Sequence, residues 1–224
     1  MQNISFKLGY KYLRSNKGGL FSFTSLLAVI GMMIGLASLI VVTSVMNGFE
    51  KELENRILGV IPHATISSNK PIDNFIDLVE DINLDNEIIK SSPYIEINAL
   101  ISSGYNSSGT SLIGIDQLIE NEMSIIPSNM LVGDISDLDE KNTIIIGSLL
   151  AANLGSYVGD TITITTSDIR STLIGSYPRS INLKIIGIFE LRTEIDQYLT
   201  LISHSTAQKL KLLNANQTQS IRLK

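Results

Sequence analysis

Catalysis by this chain would have to come from its hydroxyls, carboxylates and two histidines, because it contains no cysteine. Thiolate nucleophiles, zinc–thiolate sites, Fe–S clusters and disulfides are excluded at once. His63 and His204 are not spaced as metal ligands or as a base beside a nucleophile, and they read as surface or interface histidines. The acid groups Glu194/Asp196 and Asp137/Asp139/Glu140 sit in turn-like contexts and read as solvated. No GxxxxGK[ST] loop is present to cradle a phosphate, so ATP hydrolysis is not expected of this chain. The residues therefore point to no catalytic site, no metal and no cofactor. Function is to be sought in surfaces and helices.

The first of these is a basic and apolar island. Residues 169–189 contain Arg170, Arg179 and Lys184 and no acid. Around Gly175 and Pro178 they also carry Leu173, Ile174 and Tyr177. A loop of this composition between two strands has the character of a docking element. Its surroundings are acidic. Residues 1–49 carry Lys7, Lys11, Arg14 and Lys17 and no acid, which is +4. Beyond them 13 basic and 22 acidic side chains leave −9, for a net −5 over 224 residues. An acidic chain of this kind is not a nucleic-acid binder.

Between Lys17 and Glu50 no residue is charged. The apolar run 20–46 would make a helix roughly 40 Å long at about 1.5 Å per residue, enough to cross a hydrocarbon core of about 30 Å. A cleaved signal peptide is the rival, but its apolar region is about 7–15 residues and ends at a small-x-small site, which Met46–Phe49 does not supply. The basic N-terminus places residues 1–17 in the cytoplasm, 18–48 in the membrane and the rest outside it. Ala28, Gly31, Gly35, Ser38, Val42 and Met46 recur at helical spacing, with a GxxxG pair at Gly31/Gly35, a small face on which a second helix could pack. Phe49, Leu53 and Ile57 then continue an apolar stripe through charged residues to Pro62, an amphipathic stalk over 49–62.

The remainder reads as α+β. Strands are expected at 64–67, along 88–101, at 111–115, 142–146, 161–165, 183–189 and 198–202. The loop 102–109 reads as a Ser/Gly hairpin. Helices are expected at 71–84, 148–154 (stopped by Gly155) and 205–213.

Several stretches together carry a family resemblance: Leu8–Arg14, Phe21-Ser, Ile30-Gly31 with Gly35, and above all the run Ser44–Gly59 (SVMNGFEKELENRILG) followed by Pro62. Weaker matches follow in order at Gly114-Ile-Asp116, Ile144–Gly147, Leu154-Gly, Gly159-Asp, Ile186–Phe189, Glu194-x-Asp196 and Ile221–Lys224. The chain resembles the LolC/LolE permeases of lipoprotein-releasing ABC transporters, of MacB-like type, and more the LolC side. The resemblance implies an inner-membrane subunit with a periplasmic domain. Its porter-like part would cover 63–101, its sabre-like part 102–192 with a Hook-like loop at 168–182, and a return to the porter-like part 193–224. It implies a LolD-like ATPase, a LolE-like or identical second permease, a LolA-like periplasmic carrier and lipoprotein substrates as partners. In it the carrier contacts fall on Arg170, Leu173, Ile174, Gly175, Tyr177, Pro178 and Arg179. The lipoprotein path falls on the small face Ala28–Met46. Three further spans, present in the family, are expected beyond Lys224. The alternatives are a MacB-like exporter component and a stand-alone periplasmic anchor.

Overall fold

The structure is a computed structural model that describes residues 4, 7, 8, 11, 23–85, 88–104, 106–139, 142–172 and 175–224. The chain divides into two compact units, 1–52 and 53–224.

The first unit is dominated by helix α1 (Phe23–Leu58), which runs on past the division. Its segment Ser25–Leu53 has a mean hydropathy of 2.6 and buries none of its window within the chain. Leu36, Leu39, Ile40, Val41 and Val45 are all more than half exposed. So much bare apolar surface on one helix is stable only in lipid or against other helices, which is the physical content of a membrane span. The Thr43 hydroxyl folds back onto the Leu39 and Ile40 carbonyls at 2.9 and 3.1 Å, which satisfies it without water.

In the second unit the strands are β1 (Ala64–Asp73), β2 (Ser91–Ser103), β3 (Asn106–Ile115), β4 (Met130–Val132), β5 (Thr143–Gly147), β6 (Thr161–Thr172), β7 (Gly175–Phe189), β8 (Leu199–Ser203) and β9 (Gln217–Leu223). The helices are α2 (Phe75–Ile82), α3 (Gln117–Met123), α4 (Ser148–Leu154) and α5 (His204–Lys211). Six strands hydrogen-bond in a closed cycle, β2–β3–β8–β5–β7–β6 and back to β2. The β3–β8 and β5–β7 contacts are parallel and the other four antiparallel. The seam that closes the cycle is short: Ala99–Thr166, Leu100–Thr165, Ile101–Ile164 and Ser102–Thr163. β9 and β1 extend the sheet from the first half of β2, and β4 adds to β7.

Apolar side chains lie on both faces of this sheet. Ile95, Ile97, Leu112, Ile144, Ile146, Ile162, Ile164 and Leu183 form one cluster with Leu150, Ala207 and Leu210 of the helices. Ile115, Ile145, Leu199, Leu201 and Phe189 form the other, with Ile57 packed against it. β5 contributes to both, which is why its run Ile144–Ile146 is continuous rather than alternating. β6 alternates Ile162 and Ile164, buried, with Thr163 and Thr165, whose hydroxyls meet Asn182 and Ser180 across the strand at 3.0 and 2.9 Å.

The helix expected over 71–84 is confined to Phe75–Ile82. Pro71 belongs to β1, an edge strand whose register against β9 slips between Ser67 and Ile72, a place that tolerates a missing N–H. Asn74, in the left-handed region at φ 50°, turns the chain into α2. The expected hairpin loop is shorter than 102–109, since Ser103 pairs with Asn106 and residues 106–109 are strand. Helix α1 ends at Leu58, four residues before Pro62. Strands β4 and β9 and helix α3 are additions to the elements expected.

Gly147, where β5 enters α4, faces the backbone of Asp196 so closely that a Cβ would collide with it. Backbone cannot yield as a flexible side chain can. Gly147→Ala is expected to lower stability by about 1–3 kcal/mol, read as a lower urea midpoint with an unchanged slope.

Candidate functional site

Within the island 169–189, residues 169–172 and 175–178 pair as a two-stranded ribbon, while 179–182 pair inside the ring. β6 and β7 pair Ile169–Pro178, Arg170–Tyr177, Ser171–Ser176 and Thr172–Gly175, after a register shift between Thr166 and Ile169. Leu173 and Ile174 lie outside the described residues. The backbone places Arg170, Gly175 and Tyr177 in the ribbon, Pro178 is exposed and Arg179 half-buried. Beyond Thr166, β6 pairs with β7 alone, so the ribbon leaves the ring where the β2 seam stops. Arg179 is engaged at the ribbon base. Its Nη1 donates to the carbonyls of Lys209 and Leu210, at 2.9 and 3.0 Å, at the C-terminal end of α5.

On α1, Ala28, Gly31, Gly35, Ser38, Val42 and Met46 are all exposed, and a Cβ at Gly31 or Gly35 would meet nothing within 4 Å. Phe49 is exposed as well. In the second unit Leu53 is 37% exposed, while Ile57 and Val60 pack onto the second cluster beside Tyr94, Ile113 and Ile195. Arg56 donates to the Leu191 carbonyl at 2.9 Å. That carbonyl belongs to a turn organised by Asp196, which is not solvated as its neighbours in sequence suggest. It is fully buried, and its carboxylate accepts the N–H groups of Leu191 and Arg192 at 2.8–3.1 Å. Arg192 sits at φ 59°, so the turn needs those bonds to offset backbone strain. A turn-context acid is hard to read from sequence because its partners are backbone amides, which every residue has.

Two further groups are buried or half-buried. Arg222 and Glu120, 3% and 1% exposed, form a buried ion pair, with the Arg222 guanidinium 5.9 Å above the Tyr94 ring. Burial beside Glu96 pushes the Tyr94 phenol well above its ordinary range. The pair joins β9 to α3, elements 102 residues apart, so no local pattern announces it. His204 is no surface histidine: its ring lies 5.2 Å from that of Phe75, and Nε2 is 3.2 Å from the Thr218 hydroxyl. Burial pulls its pKa down to about 4. His63 is exposed. Among the described residues no group of histidines and carboxylates is placed to hold a metal ion.

The family model for a MacB-like periplasmic core domain matches residues 25–223. A curated relative, the lipoprotein-releasing system transmembrane protein LolC of Xylella fastidiosa (strain 9a5c), is 31% identical over 225 residues, covering 99% of this chain and 54% of that one. LolE of Haemophilus influenzae, also named as a lipoprotein-releasing system transmembrane protein, is 27% identical over 228 residues, covering 99% and 55%. The chain thus spans about half the length of the curated relatives it matches. The solved periplasmic region of MacB from Actinobacillus actinomycetemcomitans superposes with a TM-score of 0.48 at 15% identity, over 78% of this chain and 79% of that one.

Two outcomes follow from the buried charges. Glu120→Gln leaves the Arg222 charge buried without its counter-ion and is expected to cost about 3–5 kcal/mol in urea unfolding, whereas Glu120→Leu with Arg222→Met recovers most of that loss. For His204 the folded pKa lies below the ordinary value of 6.5. Its contribution to stability is therefore complete above pH 6.5 and is lost as pH falls towards 4, by up to about 3 kcal/mol. His204→Gln should flatten the stability–pH slope in that window.

Proposed function

Since the chain belongs to the MacB-like periplasmic core domain family, we propose that it is the N-terminal part of a LolC-like permease subunit of a lipoprotein-releasing ABC transporter. The observation that carries this reading is similarity over 99% of the chain to proteins named for lipoprotein release. In this reading α1 is a membrane anchor, its N-terminus is cytoplasmic by the positive-inside bias, and the domain from Leu53 onward is periplasmic. The small face Ala28–Met46 packs a partner helix and borders the path of the lipid anchor. Phe49, Leu53 and Ile57 serve as a stalk that relays displacement. The division at 101/102 between porter-like and sabre-like parts falls inside β2, so both parts share that strand.

The role of the chain is mechanical. ATP is hydrolysed by a separate LolD-like subunit, the second permease is LolE-like or a further copy, and the β6–β7 ribbon receives a LolA-like carrier. What supports the last assignment is composition and placement together: a basic, apolar hairpin projecting from the seam of an otherwise acidic domain. A closed ring offers few exposed strand edges, so a protruding ribbon is the natural site for a partner.

Leu173→Asp and Ile174→Asp are each expected to lower capture of the purified carrier at least tenfold with an unchanged melting temperature. Undiminished capture by both variants would contradict the docking role of the ribbon.

A further inference from the structure

The ribbon leaves the ring at one rung. Thr166 pairs with Ala99 at the end of the β2 seam and with Arg179 across the hairpin, and the register of β6 against β7 shifts immediately beyond. On the β2 side the exit borders open space, although Thr166 itself is buried. An open cleft of about 410 Å³ lined by Asn98, Ala99, Leu100, Thr165 and Thr166 lies there, and the Thr166 hydroxyl is buried without a partner. A two-stranded ribbon without a third strand is marginal by itself and has no intrinsic reason to hold one angle.

A fastening is present at the same rung. The Arg179 guanidinium reaches two carbonyls of the last turn of α5, those of Lys209, which also accepts the Leu212 N–H at 3.4 Å, and Leu210. The dipole at a helix C-terminus adds to the attraction. Lys209 and Lys211 occupy that turn as well, so local positive charge opposes a third cation. The carbonyl geometry must therefore be what retains it. Helix α5 is a firm anchor: Ala207 and Leu210 are in the core, and the Gln208 amide donates to the carbonyls of Asn214, Ala215 and Gln217 at 2.8–3.3 Å.

We infer that Arg179 is a positioning residue, which sets the angle of the β6–β7 ribbon by clamping its base to the end of α5, and is not itself a contact for the docked partner. The inference rests on the docking role proposed for the ribbon, which it deepens, but its geometry can be tested without a carrier.

The absence of cysteine allows clean spin labelling of the full chain in detergent, at Ser176→Cys on the ribbon and Asn216→Cys beyond α5. Double electron–electron resonance should give a narrow distance distribution in the parent. Arg179→Gln should at least double its width, and Arg179→Lys, which can reach one carbonyl, should recover part of the narrowing. The width is to be compared only between chains with the same circular dichroism spectrum. Should Arg179→Gln fail that comparison, Arg179→Lys against the parent decides, an intermediate width being the expected result. An unchanged width in the folded variant would overturn the inference, whether or not the ribbon binds a carrier. A widened distribution together with a parent that captures no carrier would sink the docking role and leave the clamp standing.

Discussion

Four backbone pairings between β2 and β6, from Ala99–Thr166 to Ser102–Thr163, decide the architecture of the domain. They turn a path of strands into a ring, so that Ile101, Ile162 and Ile164 join one buried layer and the polar faces of β6 and β7 turn outward. Closure also removes most of the free strand edges that would otherwise invite aggregation. β6 runs six residues past the seam and β7 begins correspondingly early, so the two can pair only with each other there. The ribbon follows from a ring whose last two strands are longer than their seam.

Much of this was legible along the chain. The uncharged run that becomes α1 needs only composition, and α4 was readable to its ends because Gly155 stops it in the left-handed region. The alternation at 161–165 and the continuous run at 144–146 each reported how many faces of a strand are buried. What stayed hidden depends on partners far away in sequence. Gln217–Leu223 alternates weakly and becomes a strand because β1 and β2 flank it. Pro71 suggested a helix start, but the sheet edge claimed it. Asp196 and Arg222 look like ordinary surface charges until the turn at 191–193 and Glu120 are folded around them.

The basic island was legible as composition, but its chemistry was only half visible. Pattern alone gave Arg170 and Arg179 the same role. The fold separates them: Arg170 lies in the ribbon, whereas Arg179 sits at its base with both donor contacts directed inwards. The other end of the domain shows the same economy: Arg56 and Asp196 hold one turn from two sides, one through the Leu191 carbonyl and the other through its N–H. Among the described residues, the buried charges Asp196, Glu120 and Arg222 hold loops and strands together.

The domain is a closed ring from which a two-stranded ribbon departs, and we propose that this ribbon binds the partner. Amide hydrogen exchange on the full chain in detergent, with and without the lipoprotein carrier, tests this most directly. Slow exchange is expected at residues 99–102 and 163–166, and exchange orders of magnitude faster at 169–172 and 175–178, with the carrier slowing the ribbon alone. Equal protection on both sides of Thr166, or carrier-induced protection elsewhere while the ribbon is unaffected, would contradict it.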